Sequence, residues 1–202
     1  MTRIRLNPAE RRGQILRHAA SIVVEQGYLP LPLETLARRS EISKALIYAY
    51  FPTQIDIVND LIRRHLPQVV DGQFAALAST PDFEGQARAC ARAYFAHLAA
   101  HGPLLHILLS DLYARGQVDA ELLRLRARAF GALARVVRGR LGLDARESLA
   151  AVRLFAALIE EAGSIAFRTP SAAPLCERVC LELVVGGLDG LAAASRRLGA
   201  GP

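Results

Sequence analysis

The sequence predicts an all-α fold of about nine helices. Three observations carry that reading. Apolar residues recur at spacings of three and four along almost the whole chain, and strand-type alternation is rare. Helix-opening residues (Ser, Thr, Asp, Pro) stand at the head of each periodic stretch. The composition is 52% hydrophobic and 22% charged, with 6% aromatic residues and no Trp, so an aliphatic, Ala-rich core is expected. At 202 residues the chain is long enough to bury such a core without a disulfide or metal staple.

The elements follow in order. Pro8 can open the first helix, because a missing N–H costs nothing in the first turn. Ile15, Ala19, Ile22 and Val23 give it one buried face, and Gly27 stops it. Leu29-Pro30-Leu31-Pro32 is extended, since a residue before proline avoids the α region. A short helix is expected from about Leu33 to Ser40, and Ser43 caps another that runs to about Tyr50. Pro52 breaks the chain. Thr53 and Asp56 form a capping box with Asp in place of Glu, opening a long helix that contains Pro67. Pro67 deletes one backbone hydrogen bond there and predicts a bend, which is either a hinge or static. Asp82, Pro103, Asp119, Asp144 and Pro174 mark five further helix starts. Domains are expected at residues 1–52 and 53–202.

Several function classes have no support. No apolar run reaches the ~18 residues of a membrane helix. Met1-Thr2-Arg3-Ile4-Arg5 is not followed by an apolar stretch, so no signal peptide is expected. Three Cys argue against a disulfide framework and for a reducing cytoplasm. Phosphate-loop, dinucleotide, zinc-protease and nucleophile-elbow motifs are absent, so neither a cofactor nor an enzyme is expected.

The net charge is +6, with a sequence pI near 9.8. Residues 1–52 hold eight basic and four acidic side chains, so +4 of the excess sits in the first quarter of the chain. If a polyanion is bound, that segment is the place. Lys44 is the only lysine among the 25 basic residues, and much of the arginine usage fits a GC-rich genome.

Residues 33–51 are the most informative stretch. Two short helices across a four-residue turn make a helix-turn-helix. Leu36 and Ala37 face inward, Ile42 plugs the turn, and Ile47 and Phe51 anchor the second helix. Lys44, Ala45, Tyr48 and Ala49 are then left on one exposed face. Small residues let that helix sit deep in the ~12 Å major groove. Lys44 can reach a guanine edge or a phosphate, the alanine methyls can touch thymine methyls, and the Tyr48 and Tyr50 hydroxyls can donate to phosphate. An ordinary helical corner would show the same spacing.

The stretches Arg12-Gly13-Gln14-Ile15-Leu16, Glu25-Gln26-Gly27-Tyr28, Leu33-Glu34-Thr35-Leu36-Ala37 and Ile42 to Gln54 make the distinction. Over about residues 9–62 the chain resembles the N-terminal domain of the TetR family of bacterial transcriptional repressors. The resemblance implies double-stranded DNA as a partner, a small-molecule effector and a homodimer. It implies DNA contacts at Thr35, Ser43, Lys44, Ala45, Leu46, Tyr48, Ala49, Tyr50 and Gln54, with Arg3 and Arg5 as a basic arm or an ordinary terminus. Departures stand beside it. Leu31 and Pro32 replace hydroxyl residues that usually cap the second helix and touch phosphate. Glu41 stands at the usual turn glycine, and a left-handed backbone there would cost ~1–2 kcal/mol. Ala45 replaces a common glycine, and Gln54 replaces the usual lysine and forgoes a phosphate contact. Fewer phosphate contacts predict a shallower salt dependence of binding.

Beyond residue 62 the resemblance implies an inducer pocket among helices four to seven, and a four-helix bundle made by the last two helices with a partner. Phe74, Tyr94, Leu98, Leu108, Leu112, Tyr113, Phe130 and Phe155 are the bulky pocket candidates, with plain core as the alternative. Arg126 projects onto the apolar face of its helix, unlike Arg124, Arg128, Arg135 and Arg138. It needs a partner, either Glu160 or Glu161 or an anionic ligand group. Leu158, Ile165, Leu183, Gly187 and Leu191 are the dimer candidates, although the glycines of the last helix also fit close packing within one chain. His97 and His101 have zinc-compatible spacing, with His106 nearby and Cys90 one helical stretch earlier but no clear fourth ligand, so no metal is expected, and Cys176 and Cys180 read as core or interface thiols. The expected function is a ligand-responsive DNA-binding regulator, a repressor released from a palindromic operator by a largely apolar molecule. The alternatives are an activator or ligand-independent regulator of the same fold. A helical enzyme or a protein-binding module with a degenerate DNA head is a further one.

Overall fold

The computed structural model describes residues 7–199, with side chains through Arg197, and the described residues are helical with no strand. The helices are α1 (Pro8–Gln26), α2 (Leu33–Arg39), α3 (Lys44–Tyr50), α4 (Gln54–Ser79), α5 (Phe83–His101), α6 (Leu104–Ser110), α7 (Ala120–Leu141), α8 (Ala145–Arg168) and α9 (Ala173–Gly199). Each expected start falls within a residue of an observed one. The 3-10 turn Pro170–Ala172 ahead of α9 has no counterpart among the expected elements.

Local chemistry accounts for the boundaries. Asn7 accepts from the Glu10 N–H at 2.9 Å, and the Glu10 carboxylate accepts from the Asn7 N–H at 2.8 Å, a reciprocal cap that opens α1. Gly27, at φ 81°, closes it. The Asp56 carboxylate accepts from the Thr53 N–H at 2.7 Å and from its hydroxyl at 2.8 Å, which is the expected Asp version of the capping box. Asp82 and Asp144 cap α5 and α8. Pro67 lies inside α4, whose helical structure runs through it.

The chain divides into two compact units. The first runs through His65 and takes in Leu104–Leu122, so it extends past the boundary expected after residue 52. The reason lies in the first half of α4, where Ile57, Val58, Leu61 and Ile62 are fully buried. Hydrogen bonds add the later segment. Asp111 accepts from the Leu29 N–H at 2.9 Å, Asn59 accepts from the Asp119 N–H at 2.9 Å, and Arg63 pairs with Asp119 at 2.6 Å. Helix α6 packs on α1.

The second unit is built on α5, α8 and α9, which pack against one another around Phe95, Leu98, Ile159, Leu181, Val184 and Leu188. Glycines set two close approaches. A Cβ on Gly163 would lie 2.4 Å from Leu98 Cβ, and one on Gly187 would lie 2.7 Å from the Phe155 ring. Arg88–Glu182 and Arg92–Glu177 ion pairs, both 2.9 Å, join α5 to α9 at the surface. No helix among the described residues is long and apolar enough to cross a membrane.

Candidate nucleic-acid interface

Helix α2 buries Leu33, Leu36 and Ala37. Its N-cap is Pro32, which offers no side-chain hydrogen bond, and Leu31 is buried. The hydroxyl residues usual at these places are therefore replaced by a core anchor and a rigid entry. The turn out of α2 closes with two backbone bonds, Glu41 N–H to Arg38 O at 3.2 Å and Ile42 N–H to Ala37 O at 3.0 Å. That pairing is a Schellman motif, which needs a left-handed residue at its centre. Glu41 fills it at φ 54°, as expected of the glycine position it occupies.

Ser43 then caps α3, its hydroxyl oxygen accepting from the Leu46 N–H at 3.1 Å. Ile47 and Phe51 are buried and fix the helix from below. Lys44, Ala45, Leu46, Tyr48 and Ala49 are exposed, and Tyr50 is half-buried. Thr35, on α2, is half-buried. The expected reading face is thus open to a partner.

Charge is distributed differently from the simple count. Arg12 is half-buried and engaged within the fold. It donates to Asp60 Oδ2 and to the Tyr50 carbonyl, both at 2.9 Å, and its guanidinium lies 4.3 Å from the centre of the Phe51 ring. It therefore clamps the end of α3 to α4. Arg39 makes a two-pronged bond with Glu25 at 2.6 and 2.7 Å, which holds the Glu25 carboxyl down at about 2. Lys44 pairs with Glu34, which lowers the Glu34 carboxyl below its ordinary range. Three of the basic residues counted toward a polyanion site thus have intramolecular carboxylates, and periodicity gives no signal for such pairs. Arg17 and Arg38 are exposed. Arg3 and Arg5 lie outside the described residues. Gln54 holds the fold together, since its side-chain oxygen accepts from the Leu31 N–H at 2.9 Å.

The pocket candidates do not come together as one set. Tyr94, Leu98, Phe130 and Phe155 share the core cluster of the second unit. Phe74 belongs to that unit but is exposed. Leu108 is buried in the first unit, where Leu112 and Tyr113 are exposed, Leu112 at 71%. Spacing could not separate these from core because their segment, 104–122, folds with the N-terminal helices. Arg126 is half-buried with its guanidinium 5.6 Å from the Phe130 ring centre. Glu161 pairs instead with Arg168 at 3.6 Å. The Tyr94 hydroxyl donates to Glu160 at 2.7 Å. Burial first, and the Glu160 charge second, push that hydroxyl well above its ordinary range.

Among the dimer candidates, Ile165 and Leu183 are exposed, Leu191 is half-buried, and Leu158 packs against the core. At Gly187 the missing side chain makes room for Phe155 of the same chain, which is the close packing within one chain named as its alternative. Gly186 and Gly190 are the ones facing open space. His97 and His101 lie ring to ring at 4.7 Å. Cys90 and Cys180 are pushed up to about 11 by burial, which makes them poor nucleophiles.

Residues 15–61 match the sequence profile of the family described as bacterial regulatory proteins, tetR family. The chain is 33% identical over 91 residues to the HTH-type transcriptional activator FasR of Mycolicibacterium smegmatis, a match over 45% of this chain. It spans 42% of that relative's length. The fold is similar to that of a TetR-like transcriptional regulator from Rhodococcus sp. RHA1, with a TM-score of 0.69 and 17% identity over 92% of this chain and all of that one. It is also similar to the transcriptional regulator FadR from Bacillus subtilis in complex with stearoyl-CoA. There the TM-score is 0.58 and the identity 21%, over 87% of this chain and 98% of that one.

Proposed function

We propose that the protein is a ligand-responsive transcriptional regulator of the tetR type, acting as a homodimer on double-stranded DNA in the cytoplasm; the match of residues 15–61 to the tetR family profile and the similarity of the fold to a TetR-like regulator support this reading. One observation carries the reading: α3, capped by Ser43 and anchored by Ile47 and Phe51, presents Lys44, Ala45, Tyr48 and Ala49 on an exposed face of small and donor side chains. Such a face fits a major groove, where Lys44 would exchange Glu34 for a guanine edge or a phosphate. A two-fold dimer would place two copies of α3 on the halves of a roughly palindromic operator.

The dimer reading is supported by α9, where Leu175, Val179 and Leu183 are exposed in one stripe that continues through Gly186 and Gly190. Exposed Leu154 and Ile165 add an apolar strip on α8. Soluble monomers rarely leave apolar strips of this kind bare. The effector is proposed as a small, largely apolar molecule held in the second unit, and it would release DNA by binding the DNA-free state more tightly. Repression is the first reading. Activation is the second, favoured by the partial similarity to a relative named as an activator.

The test is selection of bound duplexes from a random pool, followed by footprinting. A recovered site with two-fold symmetry is expected. Failure to enrich or protect any DNA would overturn the reading and favour an enzyme or a protein-binding module.

A further inference from the structure

Tyr94 on α5, Arg126 on α7 and Glu160 on α8 bring a phenol, a guanidinium and a carboxylate into one unit, whose core cluster is made mostly of aliphatic and aromatic side chains. The Tyr94 hydroxyl donates to Glu160 Oε1 at 2.7 Å, and the Tyr94 ring packs against the core. The Arg126 guanidinium lies over the Phe130 ring, 5.6 Å from its centre, and Phe130 packs on the same cluster as Tyr94. Phe155, in the same cluster, is seated against Gly187, where no side chain fits.

Stability explains this set poorly. Apolar side chains of similar volume in place of a partly buried ionic set are often neutral or stabilising. Recognition explains it better. We propose that Tyr94, Arg126 and Glu160 form the polar anchor of the effector site, and that it takes an apolar, aromatic molecule carrying a neutral hydroxyl group. The inference rests on the reading that the second unit senses a ligand. Charge decides the head group. One guanidinium and one carboxylate cancel, so the site has no net charge to offer an acid. A hydroxyl finds an acceptor in Glu160 or the Tyr94 oxygen and a donor in Arg126, whereas a carboxylate would face Glu160 and lose by like-charge repulsion. Phe130 and Phe155 supply ring faces and edges for an aromatic body.

Three probes with one apolar body test the claim on the full chain without DNA: 4-butylphenol, 4-butylbenzoate and butylbenzene. Calorimetric titration should rank 4-butylphenol first, about tenfold or more tighter than the other two, as one hydrogen bond to a charged group gives. Glu160→Gln should reverse the order of phenol and benzoate, because Arg126 is then uncompensated. Tyr94→Phe, which keeps the ring, should lower the preference for the phenol over butylbenzene. The proposal is overturned by a wild-type preference for benzoate, by equal binding of all three, or by binding of none. It is also overturned if both variants lower the melting temperature while leaving the head-group order unchanged, since that is what a structural network would do. The DNA selection above has a separate readout, so failure of the regulator reading and failure of this anchor are distinguishable.

Discussion

Glu41 holds φ 54° at the centre of the turn between α2 and α3, a backbone region where an L side chain is strained. The hydrogen bonds of the Schellman motif over-determine it, so the strain persists. Glu41→Gly should stabilise the chain by about 1 kcal/mol in urea unfolding, and a loss of stability would show that the carboxylate's own interactions outweigh the strain. Arg12 is the opposite case, a half-buried charged residue held by Asp60, the Tyr50 carbonyl and the Phe51 ring. Arg12→Met keeps much of the packing and removes the donors. It should cost about 2 kcal/mol, the scale of charge-assisted hydrogen bonds lost from a half-buried site. The local cap and turn chemistry was legible in the sequence, because Ser43, Thr53, Asp82 and Asp144 act on backbone groups only a few residues away. The partners of Arg12, Arg39 and Lys44 were not legible, because each depends on how separate elements are brought together.

At the scale of elements, glycines in α8 and α9 separate two kinds of close packing. Gly163→Ala puts a Cβ 2.4 Å from Leu98 Cβ and should cost about 1–3 kcal/mol by overpacking, measured by urea unfolding. Gly186 faces open space, so Gly186→Ala should favour the helix by roughly 0.5–1 kcal/mol within one chain. If the α9 stripe meets a second copy closely, the same change should weaken the dimer in sedimentation equilibrium, and an unchanged dimer constant would remove α9 from the interface. Helices α1 and α2 are joined by Glu25 and Arg39, and the carboxyl is held down at about 2 against an ordinary 4.5. A depressed folded value stabilises above pH 4.5 and loses that contribution as pH falls toward 2. The melting-temperature gap between wild type and Glu25→Gln should therefore be constant above about pH 5 and shrink below it. A gap that holds steady down to about pH 2 would contradict the pairing.

For the whole molecule, helical periodicity and caps were enough to lay out α1 to α9, and the motif around Ser43–Phe51 was enough to find the candidate reading helix. The grouping of helices was not. Segment 104–122 joins the N-terminal unit through Asp111, Asn59 and Asp119, contacts 82, 60 and 56 residues apart in sequence, and a linear pattern carries no trace of them. That grouping also split the pocket candidates, so the Tyr94–Glu160 bond emerged only from the packed structure. Whether α3 reads DNA is tested most directly by an anisotropy titration of a selected operator duplex. Wild type is compared with the Lys44→Ala, Tyr48→Phe double variant at fixed salt, with the dimer monitored by sedimentation. Loss of about a hundredfold in affinity with an intact dimer is predicted, from the loss of the Lys44 and Tyr48 contacts to DNA at ~1–3 kcal/mol each. Affinity within about threefold of wild type would contradict it.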